Sequence, residues 1–145
     1  MLIALVRHGQ ASDHAIDRER QLTDHGQNQA KQAGDFLKAS RFTAKRLIHS
    51  PLVRAKQTCD LIKEAYLQTA QTIESGELKP ESSLSFWLHQ LNEEQEELVL
   101  VGHNPYLSMM AQELTDSPLN FPTGGCLILE RTRESDLWKV VSKNF

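Results

Sequence analysis

The chain has 145 residues, 39% of them hydrophobic and 24% charged, which is typical of a soluble globular protein and sufficient for one domain over residues 1–145. The formal net charge of −3 excludes a general attraction to nucleic acid or to an anionic membrane, so an anion site must be a local cluster of cations. Apolar runs are too short for a signal peptide or a membrane span, and no apolar patch or heptad pattern indicates an oligomer. We therefore expect a cytoplasmic monomer.

The first predicted element is a strand over Leu2–Val6, a short unbroken apolar run typical of a strand that is buried on both faces of a sheet. It ends in Arg7-His8-Gly9, which places a cation, an imidazole and a residue without a side chain at its carboxyl end. In open α/β sheets ligands bind at that edge, and Gly9 would allow a sharp turn and the close approach of a ligand. The polar stretch Ala11–Gln21 predicts a loop over the same edge.

A helix and a second strand follow this loop. The helix is predicted over Asp24–Ala39, with Thr23 as its N-cap and one apolar stripe along it. The second strand is predicted over Lys45–His49. Ser50-Pro51 is typical of an N-cap followed by proline at the first helical position, so we expect a second helix to begin there.

The remainder of the chain continues the alternation of strands and helices. This alternation predicts a three-layer α/β/α sandwich with a mainly parallel sheet, closed by an antiparallel pair of strands at the carboxyl end. Asn104-Pro105 repeats the combination of a capping residue and proline. The remaining predicted elements are a strand over Gln71–Ser75, a helix over Ser83–Asn92, a strand over Leu98–Val101, a helix from Asn104 to about Leu114, and strands over Cys126–Glu130 and Leu137–Val141.

Three of the predicted strands end in residues that suit an anion site. If these strands are parallel neighbours, their endings lie on one edge of the sheet, and two of them open helices whose N-terminal N–H groups favour an anion. Arg54 falls in the first predicted turn of the second helix and can reach the same edge. A phosphoryl group is the natural occupant, because guanidinium groups match its oxygens bidentately. The three endings are Arg7-His8-Gly9, His49-Ser50-Pro51 and Gly102-His103-Asn104-Pro105.

The motifs that carry a family resemblance are Arg7-His8-Gly9, Ala11, Leu22-Thr23, Gly26, Ser50-Pro51, Arg54-Ala55, Gln57-Thr58 and Gly102-His103-Asn104-Pro105. In this order and spacing they resemble the histidine phosphatase superfamily, which has the phosphoglycerate-mutase-like fold. The small size and the stretches around Asp17, Arg20 and Glu77 most resemble the bacterial phosphohistidine phosphatases of SixA type. The resemblance implies a minimal version of that fold, without a large cap over the site.

The resemblance implies a role for each matched residue. His8 corresponds to the nucleophile that takes the phosphoryl group as a covalent phosphohistidine, while Arg7, Arg54 and His103 correspond to residues that bind the phosphoryl oxygens. Glu77 corresponds to a carboxylate that passes a proton to the leaving group. No cofactor or metal is implied, since the arginines supply the positive charge. Further candidates for substrate contact are Gly9, Arg20 and Asn104.

Elementary chemistry agrees with these roles. A histidine nucleophile must be neutral, so a hydrogen-bond acceptor should fix its tautomer, and we expect a backbone carbonyl of the Ala11–Arg20 loop to do so. An imidazole leaving group, with a reference pKa of about 6.5, needs less help from an acid than an alkoxide, whose parent alcohol has a pKa roughly like water's 15.7. With Glu77 as the only candidate acid, the site suits P–N cleavage better than P–O cleavage. We therefore expect a phosphohistidine phosphatase acting on a protein such as a histidine phosphotransfer domain.

Two other functions stay open at this point. One is a small-molecule phosphomonoesterase, acting on a sugar phosphate or a similar ester, because one fold hosts many substrates. The other is a non-catalytic module that binds phosphate or a phosphoprotein. A mutase is disfavoured, because the chain is too short to enclose an intermediate away from water.

Plain structural roles also compete for several residues. Glu77 can be a solvated loop carboxylate, and Arg20 can form an ion pair with Asp17 that holds the first loop. Cys59 and Cys126 are expected as small core residues, since their spacing suggests neither a disulfide nor a metal site. Surface or packing roles are expected for His14, His25, His49 and His89, core packing for Trp87 and Trp138, and a solvated turn for Glu93–Glu97.

Overall fold

A computed structural model describes residues 1–145 and contains six strands and four α-helices. Two short 3-10 turns, Asp17–Glu19 and Gly76–Leu78, lie in the connections. None of the helices is both long and apolar enough to cross a membrane. The strands are β1 (Leu2–Arg7), β2 (Arg46–His49), β3 (Gln71–Glu74), β4 (Leu98–Gly102), β5 (Cys126–Glu130) and β6 (Lys139–Lys143), and the helices are α1 (Asp24–Ala39), α2 (Val53–Ala65), α3 (Ser85–Glu93) and α4 (Tyr106–Thr115).

The six strands form one sheet in the order β3-β2-β4-β1-β5-β6. Strands β3, β2, β4 and β1 run parallel, whereas β5 and β6 are antiparallel to their neighbours, which confirms the predicted mainly parallel sheet. Strand β4 pairs with β1 and with β2, so that Arg7 lies opposite Gly102 and His49 lies opposite Val101. The carboxyl ends of these three strands are therefore level with one another.

The sheet separates two apolar cores, as expected for a three-layer sandwich. Successive side chains of β1 point to opposite faces. Ile3 and Leu5 pack in the core that holds α3 and α4, and Ala4 and Val6 pack in the core that holds α1 and α2. Both cysteines are unpaired and buried, as the sequence predicted, and lie in the second of these cores.

The two combinations of a capping residue and proline do not begin helices where we predicted. Helix α2 begins at Val53, because the Ser50 hydroxyl is engaged in a long-range contact, with its Oγ 2.6 Å from His103 Nε2. Helix α4 begins at Tyr106, although the Asn104 Oδ1 does accept a bond from a backbone N–H of the first turn. In both places the polar side chain makes a tertiary contact in addition to accepting from one backbone N–H near the start of the helix.

The remaining differences have local causes. Strand β6 begins two residues later than predicted, because the backbone N–H of Trp138 bonds to the carbonyl of Leu114 and its side chain turns into the core. The stretch Glu93–Glu97 is not simply a solvated turn, since the Glu94 carboxylate lies 2.7 Å from the Arg46 guanidinium. That pairing lowers the pKa of the half-buried Glu94 carboxyl against the opposing effect of its burial.

The loop after β1 packs directly on the start of α1. A Cβ atom at Gly9 would lie 2.3 Å from the carbonyl oxygen of Gly26, and a Cβ atom at Gly26 would lie 2.0 Å from the carbonyl oxygen of Gln10. Gly9 is thus required by the approach of another backbone segment, where the sequence had suggested the approach of a ligand.

This contact predicts that Gly9→Ala destabilises the fold by about 1–3 kcal/mol, because rigid backbone atoms must move to admit the methyl group. Gly76→Ala is the matched control, since a Cβ atom there meets nothing within 4 Å. Urea unfolding of both variants and of the wild type measures the difference. Equal unfolding free energies for Gly9→Ala and Gly76→Ala would contradict this account of the packing.

Candidate active site

A cleft of about 320 Å³ opens where the carboxyl ends of β1, β2 and β4 meet. The sheet brings His8 and His103 together from adjacent strands, and helix α2 adds Arg54 from its first turn. The cleft is lined by Arg7, His8, Gln10, Ala11, Asp17, Arg20, Arg54, Pro80, His103, Asn104 and Thr123.

The tautomer of His8 is fixed by a backbone carbonyl. Its Nδ1 lies 2.6 Å from the carbonyl oxygen of Gly9. A carbonyl oxygen only accepts hydrogen bonds, so Nδ1 carries the hydrogen of the neutral ring and Nε2 keeps a free lone pair. We expected the acceptor in the Ala11–Arg20 loop, and that was wrong: it is the carbonyl of the next residue in the chain.

The surroundings of His8 keep its imidazole neutral. The residue is buried, with 7% of its surface exposed. Burial lowers the pKa of His8 to about 4, with the positive charges of Arg54, Arg7 and Arg20 acting in the same direction and the bond to Gly9 opposing them. A neutral imidazole with a free Nε2 is the form that a nucleophile requires.

His103 faces His8, with 5.0 Å between the ring centroids. Its Nε2 lies 2.6 Å from Ser50 Oγ, which also accepts a bond from the backbone N–H of Leu52. When the Ser50 hydroxyl donates to Nε2, the ring hydrogen is on Nδ1, a buried atom without a hydrogen-bond partner. Burial lowers the pKa of His103 to about 2, with the facing His8 and the site arginines adding to the effect.

The buried Arg54 and the half-buried Arg7 each have a side-chain donor without a partner. Arg7 Nη1 donates to the carbonyl of Phe121 at 2.9 Å, and Arg54 Nη1 donates to the carbonyl of Asp17 at 2.9 Å. The Nε atoms of both arginines are buried and have no hydrogen-bond partner. Buried donors of this kind are normally paired, and an anion in the cleft between the two arginines would supply acceptors for them.

Arg20 and Asp17 hold the first loop and also line the cleft. Arg20 Nη1 lies 3.5 Å from Asp17 Oδ1, and Arg20 Nε donates to the carbonyl of Ser12 at 3.0 Å, so the residue does hold the first loop. Both side chains also line the cleft. Asp17 Oδ2 lies 3.3 Å from Arg54 Nη2, which places a carboxylate, exposed over 67% of its side chain, between two guanidinium groups.

Asn104 lines the cleft, but its side-chain amide is committed to other groups. Its Nδ2 donates to Asn120 Oδ1 at 3.2 Å and to the carbonyl of Phe121 at 3.0 Å. Its Oδ1 accepts from the backbone N–H and the hydroxyl of Ser108. The carbonyl of Phe121 also accepts from Arg7, so the structure gives Asn104 a part in holding that guanidinium.

The structure does not place Glu77 among the residues that line the cleft. It lies in the Gly76–Leu78 turn, where its backbone carbonyl accepts from the Tyr106 hydroxyl at 2.9 Å and its side chain is exposed. Pro80 is the residue from this connection that reaches the cleft. The one carboxylate in the lining is that of Asp17.

Two residues that line the cleft, Gln10 and Thr123, were missed at the level of sequence. Gln10 carried a usable signal, because it follows Arg7-His8-Gly9 directly. Thr58 belongs to a motif of the family resemblance, but its contact was not predicted: its Oγ1 accepts from the backbone N–H of Gly9 at 3.0 Å, from a helix 49 residues away. Thr123 precedes β5, and its place in the cleft depends on β5 pairing beside β1.

The family model of the histidine phosphatase superfamily (branch 1) matches residues 3–78. The chain belongs to the histidine phosphatase superfamily. Residues 3–78, which the family model matches, include Arg7, His8 and Arg54. His103 lies outside this range and is brought to the site by β4.

Relatives and solved structures agree with this assignment. An uncharacterized protein of Picosynechococcus sp. is 31% identical over 138 residues, which cover 88% of this chain and 83% of that protein. The phosphohistidine phosphatase SixA of Escherichia coli is 28% identical over 130 residues, 85% of this chain and 81% of SixA. A solved structure of the protein histidine phosphatase SixA complexed with tungstate superposes with a TM-score of 0.89 at 23% identity, covering 99% of this chain and 96% of that one. The predicted fold is therefore confirmed.

The geometry of His8 predicts its titration. In nitrogen-detected NMR spectra, with the signal assigned by comparison with His8→Asn, we expect the Nδ1–H tautomer at neutral pH and a midpoint near pH 4. A midpoint near the reference value of about 6.5, or a hydrogen on Nε2, would contradict the account.

Proposed function

We propose that this protein is a phosphohistidine phosphatase that removes the phosphoryl group from a protein histidine. The observation that carries the proposal is the buried, neutral His8, whose Nδ1 is held by the Gly9 carbonyl and whose Nε2 is free. The similarity to SixA of Escherichia coli over 85% of the chain supports it. So does the tungstate complex of the related structure, because tungstate is a tetrahedral oxyanion like phosphate.

In the first step, the lone pair of His8 Nε2 attacks phosphorus, and the bond from phosphorus to the substrate nitrogen breaks. A substrate imidazole that is protonated on its other ring nitrogen departs as a neutral imidazole, so the step consumes no further proton. His8 keeps its Nδ1 hydrogen on the Gly9 carbonyl, and its ring becomes a phosphorylated imidazolium.

In the second step, a water oxygen attacks the phosphorus of phosphorylated His8, and the bond from phosphorus to Nε2 breaks. His8 leaves as the neutral imidazole with its hydrogen still on Nδ1, and the water hydrogens remain on the phosphate, which departs as dihydrogen phosphate. This step regenerates the free enzyme with His8 in its neutral form.

The remaining side chains of the site stabilise the phosphoryl group in transit. The unpaired Nε groups of Arg7 and Arg54 and the Nδ1 of His103 are fixed donors in a buried setting, where electrostatic stabilisation is strongest. We assign no step to a metal ion or cofactor, because these donors supply the positive charge. Arg20 adds a third cation to the lining, beside Arg7 and Arg54.

The substrate we favour is a phosphohistidine-bearing protein such as a histidine phosphotransfer domain. We propose that the enzyme acts on it as a monomer in the cytoplasm. A P–N bond suits a site in which Glu77 stands outside the lining. One observation favours a second candidate, a small-molecule phosphomonoesterase: the side chain of Asp17 lines the cleft, and it is the one carboxyl group there that can pass a proton to a departing alkoxide.

A direct competition tests the two candidates. One substrate is a histidine phosphotransfer domain phosphorylated on its histidine, and the other is a panel of phosphate monoesters that includes sugar phosphates. We expect a kcat/KM at least tenfold higher for the phosphoprotein, whereas a clear preference for a monoester would overturn the proposal in favour of the second candidate.

The matched control is His8→Asn, in which the amide nitrogen cannot act as the nucleophile. We expect it to lose turnover of every substrate while its circular dichroism spectrum and urea midpoint stay close to those of the wild type. Turnover retained by His8→Asn would show that His8 is not the nucleophile.

A further inference from the structure

A groove beside the cleft offers a surface for the protein that carries the phosphohistidine. We propose that this groove, between α4 and residues 118–120, docks a helix of that protein, with an apolar side chain in the groove and a basic side chain about one turn farther from the cleft. The inference rests on the proposed function, and the test below separates the failure of one from the failure of the other.

The groove lies next to the active-site cleft. It has a volume of about 300 Å³, and its nearest lining residue, Pro105, follows Asn104 of the cleft directly. Asn104 Nδ2 lies 3.2 Å from Asn120 Oδ1, so the two depressions share this wall. The groove is lined by Pro105, Ser108, Met109 and Gln112 on one side and by Pro118, Leu119 and Asn120 on the other.

The groove presents an apolar surface with no charge of its own. Met109 is exposed over 52% of its surface, and the half-buried Leu119 lies across from it. No lining residue is ionisable. A flexible thioether such as that of Met109 adapts well to an apolar side chain of a partner.

Charges of opposite sign stand at the two ends of the groove. The cleft end has the cations Arg7, Arg20 and Arg54. The far end has Glu113 and Asp116, both exposed, each one helical turn beyond a groove residue. A segment with a phosphoryl anion at one end and a cation at the other complements this pattern, whereas an anionic lipid surface does not.

The spacing along α4 sets the spacing expected in the partner. Met109 lies four residues beyond Pro105, or about 6 Å at a rise of 1.5 Å per residue, and Glu113 lies about 12 Å beyond it. In a partner helix that lies along α4, the apolar side chain at Met109 and the basic side chain at Glu113 are therefore about one turn apart. His8 is 7% exposed, so the phosphohistidine must project into the cleft while the rest of its helix lies along the groove.

Met109→Gln tests the apolar contact, because it keeps the length of the side chain and its helix propensity but removes the apolar end. We expect kcat/KM for a histidine phosphotransfer domain phosphorylated on its histidine to fall about five- to tenfold. For para-nitrophenyl phosphate, which reaches the cleft alone, we expect no change. Val141→Thr on β6 is the matched control, since Val141 is 50% exposed and distant from the cleft in the sheet, and we expect no effect on either substrate.

Glu113→Gln tests whether a basic side chain of the partner binds at the far end of the groove. We expect a two- to threefold loss of kcat/KM for the phosphoprotein at low ionic strength, which disappears at about 0.5 M salt because exposed ion pairs are screened.

Each of the other outcomes overturns either the docking surface or the proposed function. If wild type and Met109→Gln turn over the phosphoprotein equally, the docking surface is wrong and the proposed function stands. If Met109→Gln loses activity on both substrates equally, Met109 acts on the cleft and not on a partner, which also overturns docking. If the wild type hydrolyses para-nitrophenyl phosphate but no phosphoprotein, the proposed function is overturned, and the docking surface with it.

Discussion

The bond from His8 Nδ1 to the Gly9 carbonyl decides what the site can do, because it leaves the lone pair of Nε2 free. The bond depends in turn on where Gly9 lies. Its backbone N–H is held by Thr58 of α2, and its Cα is pressed against the backbone of Gly26 at the start of α1. The tautomer of His8, the nucleophile that we propose, is thus a consequence of how one strand end and two helices pack.

The same packing creates a site that is electrostatically incomplete without an anion. Burial keeps both histidines neutral and leaves the Nε atoms of Arg7 and Arg54 without partners. Burial also lowers the pKa of Arg7, which shows that its charge is poorly solvated. An unpaired buried donor is costly, and a phosphoryl group relieves that cost by accepting from several donors together. In the function that we propose, the fold therefore supplies donors for the transferred phosphoryl group before any substrate arrives.

Much of this arrangement could be predicted from the sequence, because unbroken apolar runs such as Leu2–Val6 identify the central parallel strands and their endings bring the histidines to one edge. The hydrogen-bond partners of individual side chains could not be predicted. The sequence Ser50-Pro51 carries the local signal of a helix start, but the hydroxyl is taken by His103, 53 residues away. Likewise, nothing local shows that the first loop brings Asp17 into the cleft while the turn at Glu77 faces outward.

The most direct test of the account is to trap the phosphorylated enzyme. A histidine phosphotransfer domain labelled with ³²P on its histidine is mixed with the protein, the reaction is quenched in alkali within its first turnover, and the enzyme is digested for mass spectrometry. The account predicts an acid-labile, alkali-stable phosphoryl group on Nε2 of His8, absent from His8→Asn. Release of labelled phosphate with no phosphoryl group on the enzyme, or with one on a different residue, would contradict it.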